Sequence, residues 1–121
     1  DYEPSFETLW EGQRDIRAML NPHPAAFRSD LRKRYDVVVL YDTVQELEES
    51  QRKNLREFLE SGKGLVVVHH AIASFNSWPW WYQEVVGGRY LLKADGATPA
   101  STYKHDVELV ARPVVRHPIT R

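Results

Sequence analysis

The sequence predicts an α/β domain with an open parallel sheet and helices on both faces, and three consecutive segments support this prediction. Residues 36–41 and 64–69 are uninterrupted apolar runs rich in valine, which is typical of parallel strands covered on both faces. Between the runs, four apolar residues approximate one face of a helix: Leu47, Leu55, Phe58 and Leu59. Strand, amphipathic helix and strand together form a βαβ unit, whose crossover is expected to be right-handed.

The ends of the central helix carry recognisable signals. Residues 43–46 have the spacing of a capping box, which favours a helix start there, with a start a few residues later as the alternative. Gly62 follows the last apolar pair and suits a C-terminal cap, because glycine tolerates the left-handed backbone found at helix ends.

Weaker patterns predict the flanking elements. Upstream, we expect a strand over residues 14–20 and a short helix over 25–34. Downstream, residues 78–86 fit a brief helix stopped by two glycines, residues 89–102 an irregular loop, and residues 106–110 an alternating strand at a sheet edge. All of these elements belong to one domain, residues 1–121, because the chain is too short for two.

Composition narrows the possible partners. The formal net charge is −1, with 42% hydrophobic and 27% charged residues, so neither a nucleic-acid footprint nor a surface for anionic membranes is indicated. No window approaches the ~18 uninterrupted apolar residues that a membrane span needs. The chain has no cysteine, which excludes disulfides, thiolate metal sites and a cysteine nucleophile within these residues.

The tips of the two strands are the predicted location of a site. In open parallel sheets, ligands bind in the crevice beyond the carboxyl ends of the strands. Tyr41 and Asp42 follow the first strand, and His69 and His70 follow the second. Imidazole is the side chain whose unperturbed pKa lies near neutrality, so a histidine there can serve as a general acid or base or as a metal ligand. The alternative is a histidine hydrogen-bonded to backbone in the turn.

Three local patterns together resemble the ThuA-like (trehalose-utilisation) family. The first is residues 35–42. The second is residues 62–71, followed by Phe75, Trp78 and residues 87–90, and the third is residues 105–107, followed by residues 117–120. In this order the patterns cover the chain from about Tyr35 to Arg121. The resemblance implies the flavodoxin-like fold of class I glutamine amidotransferases. It also implies that a strand normally precedes Asp1 and that the family continues past Arg121, so a chain truncated at both ends is expected.

The resemblance also bears on chemistry. Amidotransferases carry a cysteine nucleophile on the strand-to-helix turn, whereas the matching turn here is His69-His70-Ala71, so glutamine amidotransfer is not expected. The family is associated with the use of disaccharides such as trehalose through keto-sugar intermediates. The predicted catalytic residues are His70, His69, Asp42 and His105. Asp42 would orient an imidazole or bind sugar hydroxyls, or else simply close an Asx turn.

Candidate substrate-binding residues have structural alternatives. They are Trp78, Tyr41, Arg89 and His117. Trp78 could stack on a sugar, but aromatic residues at helical spacing more often pack in a core or a subunit interface. Arg89 could pair with an anionic group or cap the preceding helix. His117 precedes a proline, which holds it extended and favours a structural role.

Three functions remain open at this stage. The first is a sugar-processing enzyme using acid/base chemistry, and the second is a non-catalytic sugar-binding or assembly module on the same fold. The third is a metal-dependent hydrolase, which the long spacings between histidines disfavour. We expect no cofactor, no metal, a small-molecule sugar as ligand, no nucleic acid or membrane partner, and a homo-oligomer. The cellular location stays open, with a cytoplasmic one slightly favoured.

Overall fold

The central βαβ unit is confirmed. A computed structural model describes residues 10–21, 24–41, 43 and 46–120. Strand β1 spans Val37–Leu40, helix α1 spans Glu49–Glu60 and strand β2 spans Gly64–Val67. The strands pair in parallel, with Val37 opposite Gly64 at one end and Leu40 opposite Val67 at the other. A parallel pair requires the chain to cross over between its strands, and α1 makes that crossover.

Both ends of α1 are fixed by local hydrogen bonds. At the start, the Glu48 N–H donates to Gln51 Oε1 at 2.9 Å. At the end, Gly62 adopts a left-handed φ of 84° and its N–H donates to the Leu59 carbonyl at 3.0 Å, which confirms the predicted glycine cap. Of the two helix starts that the sequence left open, the later one is confirmed, because α1 begins at Glu49 and not at residues 43–46.

In the part of the chain that the structure describes, one face of the sheet is covered by other residues and the opposite face is exposed. Leu40, Val38, Leu65 and Val67 pack on one side, against a core of buried residues from α1, the preceding turns and the aromatic segment: Phe27, Leu31, Leu47, Leu55, Phe58, Ala71, Phe75, Trp78 and Trp81. On the other face, Val37, Val39 and Val66 are 38–52% exposed. The two-sided arrangement predicted from the sequence therefore stays a prediction.

The helical segment before β1 is broken into two short turns instead of the one helix that the sequence predicts. The helix expected over residues 25–34 is two 3₁₀ turns, Pro24–Arg28 and Leu31–Lys33. The break lies at Asp30, which has an extended backbone and whose carboxylate accepts the Arg32 N–H at 3.1 Å. An aspartate in this role starts a new helical turn instead of continuing the previous one.

The strands predicted over residues 14–20 and 106–110 are wrong. Both segments lack ladder pairing, and their apolar side chains are exposed, with Leu109 at 86%. An alternating pattern makes a strand only where a neighbouring strand accepts its hydrogen bonds, and the described residues give these segments none.

The segment after β2 matches its prediction more closely. A helical stretch contains a single π-helical turn, Trp81–Val85, and ends at Gly87, whose φ is 76°. Residues 89–102 are irregular, as predicted, apart from one isolated bridge between Asp95 and Thr98. Within the described parts of the chain, every helix is too short or too polar to cross a bilayer.

Candidate functional site

The carboxyl ends of β1 and β2 lie side by side. The Val68 N–H donates to the Leu40 carbonyl at 2.8 Å, which extends the ladder by one bond past the strands. Tyr41 and His69 follow these positions, and their rings stack with centroids 6.3 Å apart and planes 22° apart. The strand pairing thus places a phenol and an imidazole together at the outlet of the sheet.

His69 begins the turn after β2 with a strained backbone. Its φ is 52°, in the left-handed region that non-glycine residues rarely occupy, although histidine does so more often than most. A 3₁₀ turn, His69–Ala73, starts there, and the Ala71 N–H donates to the Val68 carbonyl at 3.1 Å. The sharp change of direction leaves both His69 and His70 exposed beyond the sheet edge.

The two imidazoles form a hydrogen-bonded pair. Their Nδ1 atoms lie 2.8 Å apart and their ring centroids 3.8 Å apart. Such a contact requires one Nδ1 to carry a proton and the other to offer a lone pair. In the neutral pair, the donating ring therefore has a bare Nε2, and the accepting ring has its proton on Nε2. The pair presents one base and one acid to solvent at the same time.

Thr43 ties the loop after β1 to the histidine turn. Its hydroxyl donates to the His70 carbonyl at 3.2 Å. Thr43 is not among the site residues predicted from the sequence, because a bond to a backbone carbonyl 27 positions away leaves no signal in composition or spacing. The contact links the two strand tips, so it restrains the position of His70 relative to β1.

A shallow apolar cavity of about 350 Å³ opens beside His69. The other lining residues are Leu65, Val67, Ile72, Val85 and Val86. Leu65 and Val67 come from the core face of β2, Val85 is the last residue of the π-helical turn, and Val86 follows it. The sequence predicted these segments but not the cavity, which arises from their relative placement. An imidazole at the rim of an apolar recess can meet the polar part of a ligand whose apolar part lies inside.

The remaining predicted catalytic residues are not brought to this pair by the described structure. Asp42 lies outside the described residues. His105 is exposed, and its ring packs edge-on against Tyr103 with centroids 5.0 Å apart. In residues 10–21, 24–41, 43 and 46–120, no hydrogen bond or ring contact joins His105 to His69 or His70. Catalytic roles for Asp42 and His105 stay predictions.

Trp78 is occupied by packing. Only 7% of its surface is exposed, and its ring contacts those of Phe75, Trp80 and Trp81. Little of the indole is accessible to a sugar ring, so the geometry favours the packing role that the sequence left open. A direct role in substrate binding stays a prediction.

Arg89 and His117 also have partners within the chain. The Arg89 guanidinium lies 4.4 Å from the ring centroid of Tyr82 and pairs with the Asp95 carboxylate at 2.7 Å. His117 is exposed; its Nδ1 accepts the Ile119 N–H at 3.2 Å, and its carbonyl accepts the Thr120 N–H at 2.9 Å, which closes the 3₁₀ turn Pro118–Thr120. Of the four predicted substrate-binding residues, Tyr41 is the one in contact with the histidine pair.

Metal binding gains no support from the described side chains. No group of three or more histidine, aspartate or glutamate residues converges within the part of the chain that the structure describes. The histidine pair itself supplies two imidazoles that face each other through Nδ1, and protein metal sites of the zinc type need three or four ligands.

Comparison with known proteins identifies the family of this chain. A family model described as ThuA, trehalose utilisation, matches residues 5–121. The chain belongs to the ThuA family. The match extends the resemblance seen from Tyr35 onward to almost the whole chain, and ThuA membership indicates a role in the utilisation of trehalose or other sugars. Neither the curated proteins nor the solved structures provide a significant match.

Proposed function

We propose that this ThuA-family chain catalyses proton transfer on a sugar or keto-sugar, with His69 and His70 acting as a coupled base and acid. The observation that carries the proposal is the 2.8 Å contact between their Nδ1 atoms at the outlet of β2. General acid/base catalysis by positioned histidines contributes typically ~10²–10⁴-fold to a rate. A pair that supplies both functions at once suits reactions in which one proton leaves a sugar as another arrives.

The proton count closes over one turnover. The bare Nε2 of the donating ring takes a proton from a sugar C–H or O–H, while the Nε2–H of the accepting ring protonates a sugar oxygen. The Nδ1 proton then crosses the 2.8 Å contact to the second ring. Both imidazoles are neutral again, with base and acid exchanged, and the pair has neither gained nor lost a proton.

Placement on the fold supports the same function. The pair lies beyond the carboxyl ends of parallel strands, where ligands bind in open α/β sheets. Tyr41 stacks near His69 and brings a hydroxyl that can bond a sugar, and the apolar cavity beside His69 can take the less polar face of the ring. We also propose that the described strands belong to a complete flavodoxin-like sheet. In that sheet, the histidine pair would occupy the position at which an amidotransferase has its cysteine.

The test is turnover of a panel of disaccharides and keto-sugars, followed by product analysis, for the wild type and the variants His70→Ala and His69→Ala. We expect each substitution to lower kcat by at least ~10²-fold, because both remove one half of the relay. Arg112→Ala, at an exposed position outside the regular elements, serves as a matched control. Wild-type rates in both histidine variants, with folding verified by circular dichroism, would refute the proposal.

The same assay separates the alternative, a non-catalytic sugar-binding module. Calorimetry against the same panel would then show saturable binding, with no product from the wild type under any condition. In that case His70→Ala would weaken binding without any change in turnover, since there would be none to lose.

A further inference from the structure

A groove on the helix side of the molecule combines positive charge with stacked aromatic rings. It has a volume of about 270 Å³ and is lined by Glu49, Ser50, Arg52, Lys53, Arg56 and Trp78. Three of these six residues are cationic and one is anionic. The groove lies beside α1, from Glu49 to Arg56, and Trp78 forms part of its wall.

Arg56 is held by stacking and not by an ion pair. Its guanidinium carbon lies 4.5 Å from the ring centroid of Trp80 and 5.8 Å from that of Trp78. Stacking on an aromatic ring uses the face of the guanidinium and leaves the N–H donors in its plane available. Among the described residues, no carboxylate lies within ion-pair distance of Arg56.

The other two cations of the groove are already partly neutralised. Arg52 donates to Glu46 at 2.7 Å and to the Ser77 hydroxyl at 2.8 Å, and it also lies over Trp78. Lys53 reaches Glu57 only at 3.8 Å, with most of its side chain exposed. Of the three cations that line the groove, Arg56 is therefore the one without a counterion among the described residues.

Arg52 forms a fixed part of the groove wall. Its Nε is buried and has no acceptor in the described structure, although its Nη2 is fully engaged. A buried N–H without a partner is unfavourable, but this atom is closed off from solvent, so it is not one of the donors that a ligand in the groove would meet. The Glu46 and Ser77 contacts fix the Arg52 guanidinium beside Arg56 and fix the shape of the groove wall.

We propose that this groove binds the oxyanion group of a small ligand, a phosphate ester or a carboxylate, with Arg56 as the principal contact. A planar guanidinium matches both groups through paired hydrogen bonds, and such charge-assisted bonds are the stronger ones. Arg52 and Lys53 supply further positive potential, and Glu49 at the rim favours ligands with a single anionic group over polyanions. The inference does not depend on proton transfer by the histidines.

Isothermal titration calorimetry of the whole chain tests it, with inorganic phosphate, gluconate and glucose as separate probes. We expect saturable binding of one or both anions in the millimolar range, and any heat from uncharged glucose should be the same for the wild type and Arg56→Gln. Arg56→Gln should weaken anion binding by roughly tenfold or more, and Arg56→Lys by less, since lysine keeps the charge but loses the planar fork. The anion with the higher affinity identifies the type of oxyanion that the groove takes.

Two controls make the result specific. Arg112→Gln removes an exposed arginine outside the groove and should leave anion affinity within twofold of the wild type. His70→Ala disrupts the proposed catalytic pair and should leave the affinity for inorganic phosphate unchanged, so failure of the proton-transfer proposal and failure of this one are distinguishable. Absence of saturable binding of both anions by the wild type, or equal affinity of the wild type and Arg56→Gln, would overturn the inference.

Discussion

The Nδ1 atoms of His69 and His70 lie 2.8 Å apart, in a turn whose first residue has a left-handed backbone. The two features are connected. Neighbouring residues of an extended strand direct their side chains to opposite faces, so an ordinary strand would separate the two rings. The positive φ of His69 ends the strand and rotates its side chain towards that of the next residue. Backbone strain at this position is therefore what permits the pair.

The first prediction separates backbone strain from chemistry at position 69. His69→Gly removes the imidazole but places at φ 52° the residue that tolerates this conformation best. Relief of a left-handed strain of roughly 1 kcal/mol offsets the entropy that glycine adds to the unfolded chain, also roughly 1 kcal/mol. We expect the free energy of unfolding in urea to stay within about 1 kcal/mol of the wild type while sugar turnover is lost.

The matched variant is His69→Val, which lacks the imidazole too but has a β-branched side chain. Valine is strongly disfavoured in the left-handed region, so this variant should be less stable than His69→Gly by about 1–2 kcal/mol. Equal stability of the glycine and valine variants would show that His69 does not hold this backbone conformation in solution.

A second prediction concerns the end of α1. Gly62 has a φ of 84° and open space around its Cα, so an added Cβ meets no neighbour and only the backbone conformation is at issue. Gly62→Ala should lower the free energy of unfolding by about 1 kcal/mol. Gly88→Ala is the control, since Gly88 also has open space but no positive φ. It should be neutral or slightly stabilising, and a similar loss in both variants would contradict the cap.

A third prediction tests the packing of α1 against the sheet. Phe58 has no exposed surface and lies in the cluster that contains Leu40 and Leu55. Phe58→Ala removes most of a buried ring and should lower the free energy of unfolding by about 3–5 kcal/mol, measured by urea titration. Phe58→Leu preserves more of the volume and should cost clearly less. A loss below ~1 kcal/mol in the alanine variant would place Phe58 outside the core.

Local signals explain which parts of the fold the sequence predicted. The β1–α1–β2 unit follows from the spacing of apolar residues, and the cap at Gly62 follows from the backbone preference of glycine. Both signals lie within short stretches of sequence. The strand expected over residues 106–110 depends instead on a partner elsewhere in the chain. Its alternating pattern is present, but in the described structure the segment pairs with neither open edge of the two-stranded sheet, and Leu109 remains exposed.

The candidate site was predictable in location but not in detail. The rule that ligands bind beyond the carboxyl ends of parallel strands selected His69, His70 and Tyr41, which do lie together. The Nδ1 contact depends on side-chain rotamers and on a positive φ, neither of which the sequence determines. Arg56 was not selected because its stacking on Trp80 joins residues 24 positions apart, and nothing in a charged helix face distinguishes one arginine from its neighbours.

The last prediction concerns stability in acid. The side-chain hydrogen bond from Arg32 lowers the pKa of Asp30 below its usual 3.8, and the charge of the same guanidinium acts in the same direction. A carboxylate with a lowered pKa in the folded state contributes stability above the unfolded value, and that contribution is lost as the pH falls through the folded value. Here the window lies below pH 3.8. The effect is small, because both side chains are solvent-exposed.

Asp30→Asn isolates this effect, because asparagine can still cap the turn at Leu31 but carries no charge. Urea unfolding midpoints at pH 7, 5 and 3 for the two proteins give the measurement. We expect the wild type to be slightly more stable than the variant at pH 7 and 5, and the difference to shrink at pH 3 as Asp30 is protonated in the unfolded chain and then in the folded one. When the measurements are repeated in high salt, the difference in stability between the wild type and Asp30→Asn at pH 7 should be smaller, since exposed charges are screened. A difference that grows as the pH falls would mean that Asp30 is not stabilised as a carboxylate by Arg32.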